Sequence, residues 1–172
     1  MADLVGILQL LGAGSVGAVV TQYVGAGPER RQARAAVRSA MTELDEAVWS
    51  HGDIAEWGRL RRAVHIFESA AMIAGVRREV ASWYVTTRVT FYYESKRSYE
   101  QYPDPECGGG ISSQYARGLN EATSVVHRAL WHPQRSRFLW RRWLKAAKAT
   151  ARAAVADSPS ILRRLDEAES PI

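Results

Sequence analysis

The pattern of apolar and polar positions changes character near residue 28. From Leu4 to Pro28 the run LVGILQLLGAGSVGAVVTQYVGAGP holds no charged side chain, whereas beyond it apolar residues return every three or four positions among charged ones. The second pattern is that of amphipathic helices. Val37, Met41, Leu44 and Val48 mark a first helix that ends near His51 and Gly52. Asp53 with Glu56 three residues on resembles a capping box, and it opens a second helix whose stripe is Ile54, Trp57, Leu60, Val64, Phe67 and Ala71 and which stops at Gly75.

The segment from Arg77 to Glu100 contains WYVTTRVTFYY, rich in β-branched and aromatic residues that favour strands. Spacing argues the other way. Val80, Trp83, Tyr84, Thr87 and Phe91 fall on one helical face, and no second strand-like run is near enough to pair with this one. The segment is therefore expected to be helical. Two prolines and three successive glycines make 101–110 a surface loop. Ser112 or Ser113 then caps a helix carrying Tyr115, Leu119, Ala122, Val126 and Ala129, which ends where Pro133 can only open the next helix. That helix runs to about Ala156, and Ser158-Pro159 starts a short last one over Ser160 to Ala168.

The expected fold class is all-α, with an N-terminal single transmembrane helix followed by a compact helical bundle of about five helices. The corresponding domains are an anchor over 1–28, a helical-bundle domain over 29–168 and a frayed end over 169–172. As a helix, Leu4 to Pro28 spans about 37 Å, longer than a hydrocarbon core of about 30 Å. Its leucines, isoleucine and valines supply about −3 to −6 kcal/mol of insertion free energy, partly offset by Gln9, Thr21, Gln22 and the glycines. No basic residue precedes the run, which speaks against a secretory signal and for an uncleaved anchor; a helix buried in a soluble oligomer is the other reading. Arg30, Arg31, Arg34 and Arg38 all follow the run, so the N-terminus is expected outside and the bundle in the cytoplasm, at the inner membrane. Gly14, Ala18, Thr21 and Gly25 place small side chains along one stripe, where a second copy could pack, although glycine is frequent in membrane helices in any case.

Charge adds a second feature. The formal net charge is +5, which favours an anionic partner. Between Glu121 and Asp157 there is no acidic residue, yet Arg128, Arg135, Arg137, Arg141, Arg142, Lys145, Lys148 and Arg152 all occur there. On a helix, Arg141, Lys145, Lys148 and Arg152 share one face, and Trp140, Leu144, Ala147, Ala151 and Val155 another. Trp131, Phe138, Trp140 and Trp143 surround the basic face, the pairing that an interfacial helix presents to headgroups. Arg135, Arg137, Arg141, Arg142, Lys145, Lys148, Arg152, Trp140 and Trp143 are therefore the candidate anionic-surface site, for membrane lipid first and nucleic acid second, against the plain reading of a solvated face. Tyr84 and Tyr92 suit packing, while Tyr92, Tyr93, Tyr99 and Tyr102 form a candidate interface for a cytoplasmic protein partner.

Catalytic chemistry is hard to assemble from this sequence. His51, His65, His127 and His132 contain no i, i+4 pair, and Cys107 is the only cysteine and has no histidine near it in sequence, so neither a metal site nor a disulfide framework is expected. Gly12, Gly14 and Gly17 match a dinucleotide fingerprint in spacing but open no βαβ unit. No catalytic residue and no cofactor is assigned. The expected function is that of a non-enzymatic, membrane-anchored interaction or scaffold protein with a basic amphipathic helix near the inner leaflet. The alternative is a soluble oligomeric helical protein whose basic face binds nucleic acid. A site built from Glu68, Glu79 and Glu94 with the tyrosines would be the enzymatic reading, and no motif supports it.

Overall fold

In the computed structural model the residues described are 27–48, 54–101 and 111–167 (of 54–56 only the backbone), and among them all regular structure is α-helical. Helix α1 covers 27–48, so Gly27 and Pro28 already belong to the helix that carries Val37, Met41 and Leu44, rather than to a break before it. The helices that follow are α2 (Ile54–Ile73), α3 (Arg78–Gln101), α4 (Ser113–Trp131), α5 (Pro133–Ala154) and α6 (Pro159–Glu167). They form a compact bundle in which α3 packs against α2, α4, α5 and α6.

The helical period decides which residues are inside. Val37, Ala40, Met41, Leu44, Ala47 and Val48 bury one stripe of α1, and Leu60, Ala63, Phe67 and Ala71 do so for α2. Trp57 departs from its expected place in the core and is 57% exposed, because the buried run of α2 begins one turn later, at Leu60. α2 ends in a Schellman motif. Gly75, at φ +79°, donates its N–H to Met72 O at 3.0 Å, and Val76 donates to Ala71 O at 2.9 Å. Glycine reaches this left-handed conformation without a Cβ clash, and the apolar contact that usually accompanies the motif is supplied by Val76 and Ala71, both buried.

α3 overrides its strand-like composition through burial. Val80, Tyr84, Thr87, Phe91 and Ser95 fall along one inward face, flanked by Trp83 and Thr90. Thr87 spends its hydroxyl proton on Trp83 O at 2.8 Å, so a buried polar group is satisfied within the helix itself. Tertiary packing on several sides outweighs intrinsic β propensity, which amounts to about 1 kcal/mol per residue at most.

α4 and α5 are an antiparallel hairpin joined by His132 alone, with Pro133 in the first turn of α5. Gln114 Nε2 at the start of α4 donates to Ala154 O at the end of α5 at 3.3 Å. Small residues bring the helices close. A Cβ on Gly118 would lie 2.7 Å from the Phe91 ring and 3.1 Å from Ala151 Cα. Ser112, just ahead of α4, makes no side-chain cap; its backbone N–H instead donates to the buried Ser95 Oγ at 3.1 Å. α6 buries Ile161 and Leu165 and is held by ion pairs from Arg164 to Glu94 at 2.6 Å and from Arg152 to Asp166 at 2.9 Å.

α1 reaches the hairpin and α3 through polar contacts. Arg34 Nε donates to Leu130 O at 3.0 Å, and the Arg88 guanidinium on α3 forms a two-pronged ion pair with Asp45. One pole of the bundle therefore gathers the start of α1, the turn after α2 and the α4–α5 corner. A cavity of about 350 Å³ there is lined by Glu29, Arg30, Ala33, Arg34, Ile73, Ala74, Gly75, Leu130 and Pro133. The expected span over 4–28, apart from Gly27 and Pro28, lies outside the described residues, and with it the small-residue stripe Gly14, Ala18, Thr21 and Gly25, as do Asp53, Tyr102 and Cys107. Among the described residues no helix is long and apolar enough to cross a membrane.

Candidate anion-binding surface

The basic run of α5 divides into two halves. Arg135, Arg137, Arg141, Arg142 and Lys145 are exposed. Lys148 and Arg152 are half-buried and engaged with the bundle: the Lys148 ammonium lies 5.3 Å from the Trp83 ring, and Arg152 pairs with Asp166. The opposite face sinks Leu144, Ala147, Ala151 and Val155 into the core, as an amphipathic helix requires. Only the first half of the run is thus open to an external anion along its whole length.

Aromatic residues are arranged differently from a simple headgroup belt. Trp140 and Trp143 are half-buried against the core. Trp140 has the guanidiniums of Arg77 and Arg141 at 6.0 and 5.4 Å from its ring. Phe138, by contrast, is 85% exposed, and Trp131 is 48% exposed. Ile73 and Met72, at the end of α2, are 80% and 58% exposed. Of these, Ile73 lines the cavity over Arg34 and Leu130.

Sequence reasoning passed over the centre of this pole. Arg34 and Arg38 stand at i, i+4 on α1 and place their guanidinium carbons 4.6 and 5.1 Å from the Trp131 ring, within cation–π range. A second cavity, of about 340 Å³, is lined by Asn120, Thr123, Ser124, His127, Arg128, Trp131 and His132, all on α4 or at the α4–α5 corner. The i, i+4 arginines and the Trp-His-Pro corner were both visible in the sequence, but nothing in it joined residues 34 and 131.

The described tyrosines of the candidate partner interface have different neighbours. Tyr92 lies under Arg88, whose guanidinium is 5.3 Å from its ring, while Tyr93 faces α6 with Arg164 at 5.2 Å. Tyr99 is exposed near the end of α3. Burial raises the Tyr84 and Tyr92 hydroxyls above the usual tyrosine range, although the neighbouring Arg88 charge pulls the other way. Arg88 itself is opposed by burial, but its hydrogen bond to Asp45 and the nearby tyrosines outweigh that, so its proton is held more firmly than usual. This cluster locks α1 to α3.

Among the described residues no three of His, Cys, Asp and Glu converge as a metal ion would need. Glu94 is committed to Arg164, and Glu79 is exposed in the first turn of α3. Comparison of the chain with known protein families, with curated proteins and with solved structures finds no match.

Proposed function

We propose that this chain is a single-pass, membrane-anchored interaction protein without catalytic activity, with residues 1–28 as anchor, the N-terminus outside and the bundle on the cytoplasmic side of the inner membrane. One observation carries the reading. The pole where α1 begins, directly after the uncharged run of 4–26, sets exposed Ile73 in one cavity with Arg30 and Arg34, and half-exposed Trp131 under the guanidiniums of Arg34 and Arg38. Apolar groups set among cations are what an anionic leaflet receives, each surface cation contributing about 1 kcal/mol. The open half of α5 adds Arg141, Arg142 and Lys145 to that surface. In this reading Tyr92, Tyr93, Tyr99 and Tyr102 serve a cytoplasmic protein partner, and Gly14, Ala18, Thr21 and Gly25 a second copy of the anchor.

Carbonate extraction of the full-length chain tests this. The natural chain is expected in the membrane pellet, and Val16→Arg with Val20→Arg, at about 2.5–3.5 kcal/mol each near the centre of a span, should release it. Phe138→Asp with Ile73→Asp, both on exposed positions, should leave unfolding unchanged within about 0.5 kcal/mol and weaken contact with anionic vesicles. A natural chain fully extracted by carbonate would refute the anchor and turn attention to a soluble oligomer that binds nucleic acid.

A further inference from the structure

The cavity on α4 shares Trp131 with the anchoring surface described above and is otherwise lined by residues that surface does not use. His127, Arg128 and His132 line it, Ser124 and Asn120 add neutral hydrogen-bonding groups, and among the described residues no carboxylate contributes to its wall. Glu121 approaches Arg128 only to 3.9 Å, at the outer limit of an ion pair. The indole of Trp131 forms part of the wall and has the Arg34 and Arg38 guanidiniums over its ring. Arg128 puts a fixed positive charge in the wall, and an anion seated there meets that charge beside the neutral donors of Asn120, Thr123 and Ser124. The donors come from successive turns of α4 and from the corner residue, so an anion with several acceptor oxygens can take more than one of them.

We propose that this cavity binds a phosphate-bearing anion, with Arg128, His127 and His132 donating to its oxygens and Trp131 fixing the two α1 guanidiniums beside it. The volume of about 340 Å³ admits a glycerophosphate headgroup as well as free phosphate. That the phosphate belongs to a lipid rests on the membrane-facing reading of this pole; that the cavity takes phosphate does not. The exposed Trp131 in its wall favours a bilayer over a nucleic acid, whose backbone offers no apolar phase to receive it.

The full-length chain in zwitterionic detergent micelles, followed by NMR of the His127 and His132 rings and the Trp131 indole N–H, provides the test. Inorganic phosphate is titrated at constant ionic strength, and phosphatidylglycerol is then added to the micelles. Saturable shifts at all three groups are expected. Arg128→Ala should weaken binding about tenfold or more by removing a charge-assisted donor, and Asn120→Glu, at an exposed position, should do the same by placing a carboxylate in the cavity. Arg59→Ala with Arg163→Ala, exposed on α2 and α6, should leave it within about twofold. Shifts that merely follow chloride, that are lost equally in this α2–α6 control, or that occur only with duplex DNA would overturn the proposal, as would no saturable shift at all. Saturation by phosphate without preference for phosphatidylglycerol upholds the site and assigns it to a soluble phosphate. A chain that resists carbonate yet ignores both probes refutes the site alone.

Discussion

Replacing Gly118 by alanine tests the closest helix approach in the bundle. The added Cβ would stand 2.7 Å from Phe91 Cε2, 3.3 Å from Phe91 Cζ and 3.1 Å from Ala151 Cα, where carbon atoms prefer about 3.5–4.0 Å. Relief requires a movement of about 1 Å. The Phe91 ring is fully buried and stacked on Tyr115 with centroids 5.0 Å apart, and on the other side the obstacle is the backbone of α5, so neither neighbour yields easily. Overpacking of this kind costs about 1–3 kcal/mol. Alanine returns about 1 kcal/mol of helix propensity. The net loss is about 0–2 kcal/mol, or a fall in Tm of up to about 8 °C for a chain of this size. Gly58 provides a control of opposite sign, because it is exposed in α2 and a Cβ there meets nothing within 4 Å; Gly58→Ala should stabilise by about 1 kcal/mol or slightly less. Urea and thermal unfolding of both variants by circular dichroism measures the difference. If Gly118→Ala gains as much as Gly58→Ala, then α3, α4 and α5 do not meet at Gly118 and the hairpin geometry is refuted.

Two further outcomes concern the lock between α1 and α3. Asp45→Asn leaves the Arg88 charge between Tyr84 and Tyr92 without its carboxylate, which should destabilise by about 1–3 kcal/mol, less than for a fully buried pair because Asp45 is partly solvated. Adding Arg88→Met should restore part of that loss, and a double variant no better than the single one would show that the two side chains are not coupled. Tyr84 releases its proton in the unfolded chain near the ordinary tyrosine value, but burial holds the proton on in the folded chain. The folded state therefore binds more protons in alkali, so this group's stability is intact below pH about 10 and falls as pH rises beyond it. Tyr84→Phe should flatten that slope and, because the hydroxyl is buried without a partner, be neutral or slightly stabilising at pH 7, as followed by urea midpoints across pH.

Periodicity carried most of the fold. Val37, Met41, Leu44 and Val48 are buried where their spacing placed them, and the breaks at Gly75 and Pro133 fall where backbone chemistry demands them. α3 was legible only because spacing was weighed above composition, and its burial on several sides explains why composition misled. What periodicity could not supply was distance between faces. It set Lys148 and Arg152 with the open cations of α5, whereas the ring of Trp83 and the carboxylate of Asp166, from other helices, claim them. It likewise gave Arg34, Arg38 and Trp131 no common place, since pairing across nearly a hundred residues depends on how α1 docks. Periodicity finds the inward side of each helix and is silent on which outward sides become neighbours.

The contact from Arg34 to Leu130, 96 residues apart, also sets a clock for synthesis. At about 5–20 residues per second, α1 emerges roughly 5–20 s before the corner that accepts its hydrogen bond. Within that interval Asp45 can already meet Arg88 on α3, whereas Arg34 waits for Leu130; α4 and α5, separated by one residue, then close on each other almost at once. The hairpin therefore completes the docking of α1, and a chain stalled before Leu130 holds that helix without the Arg34 contact near its start.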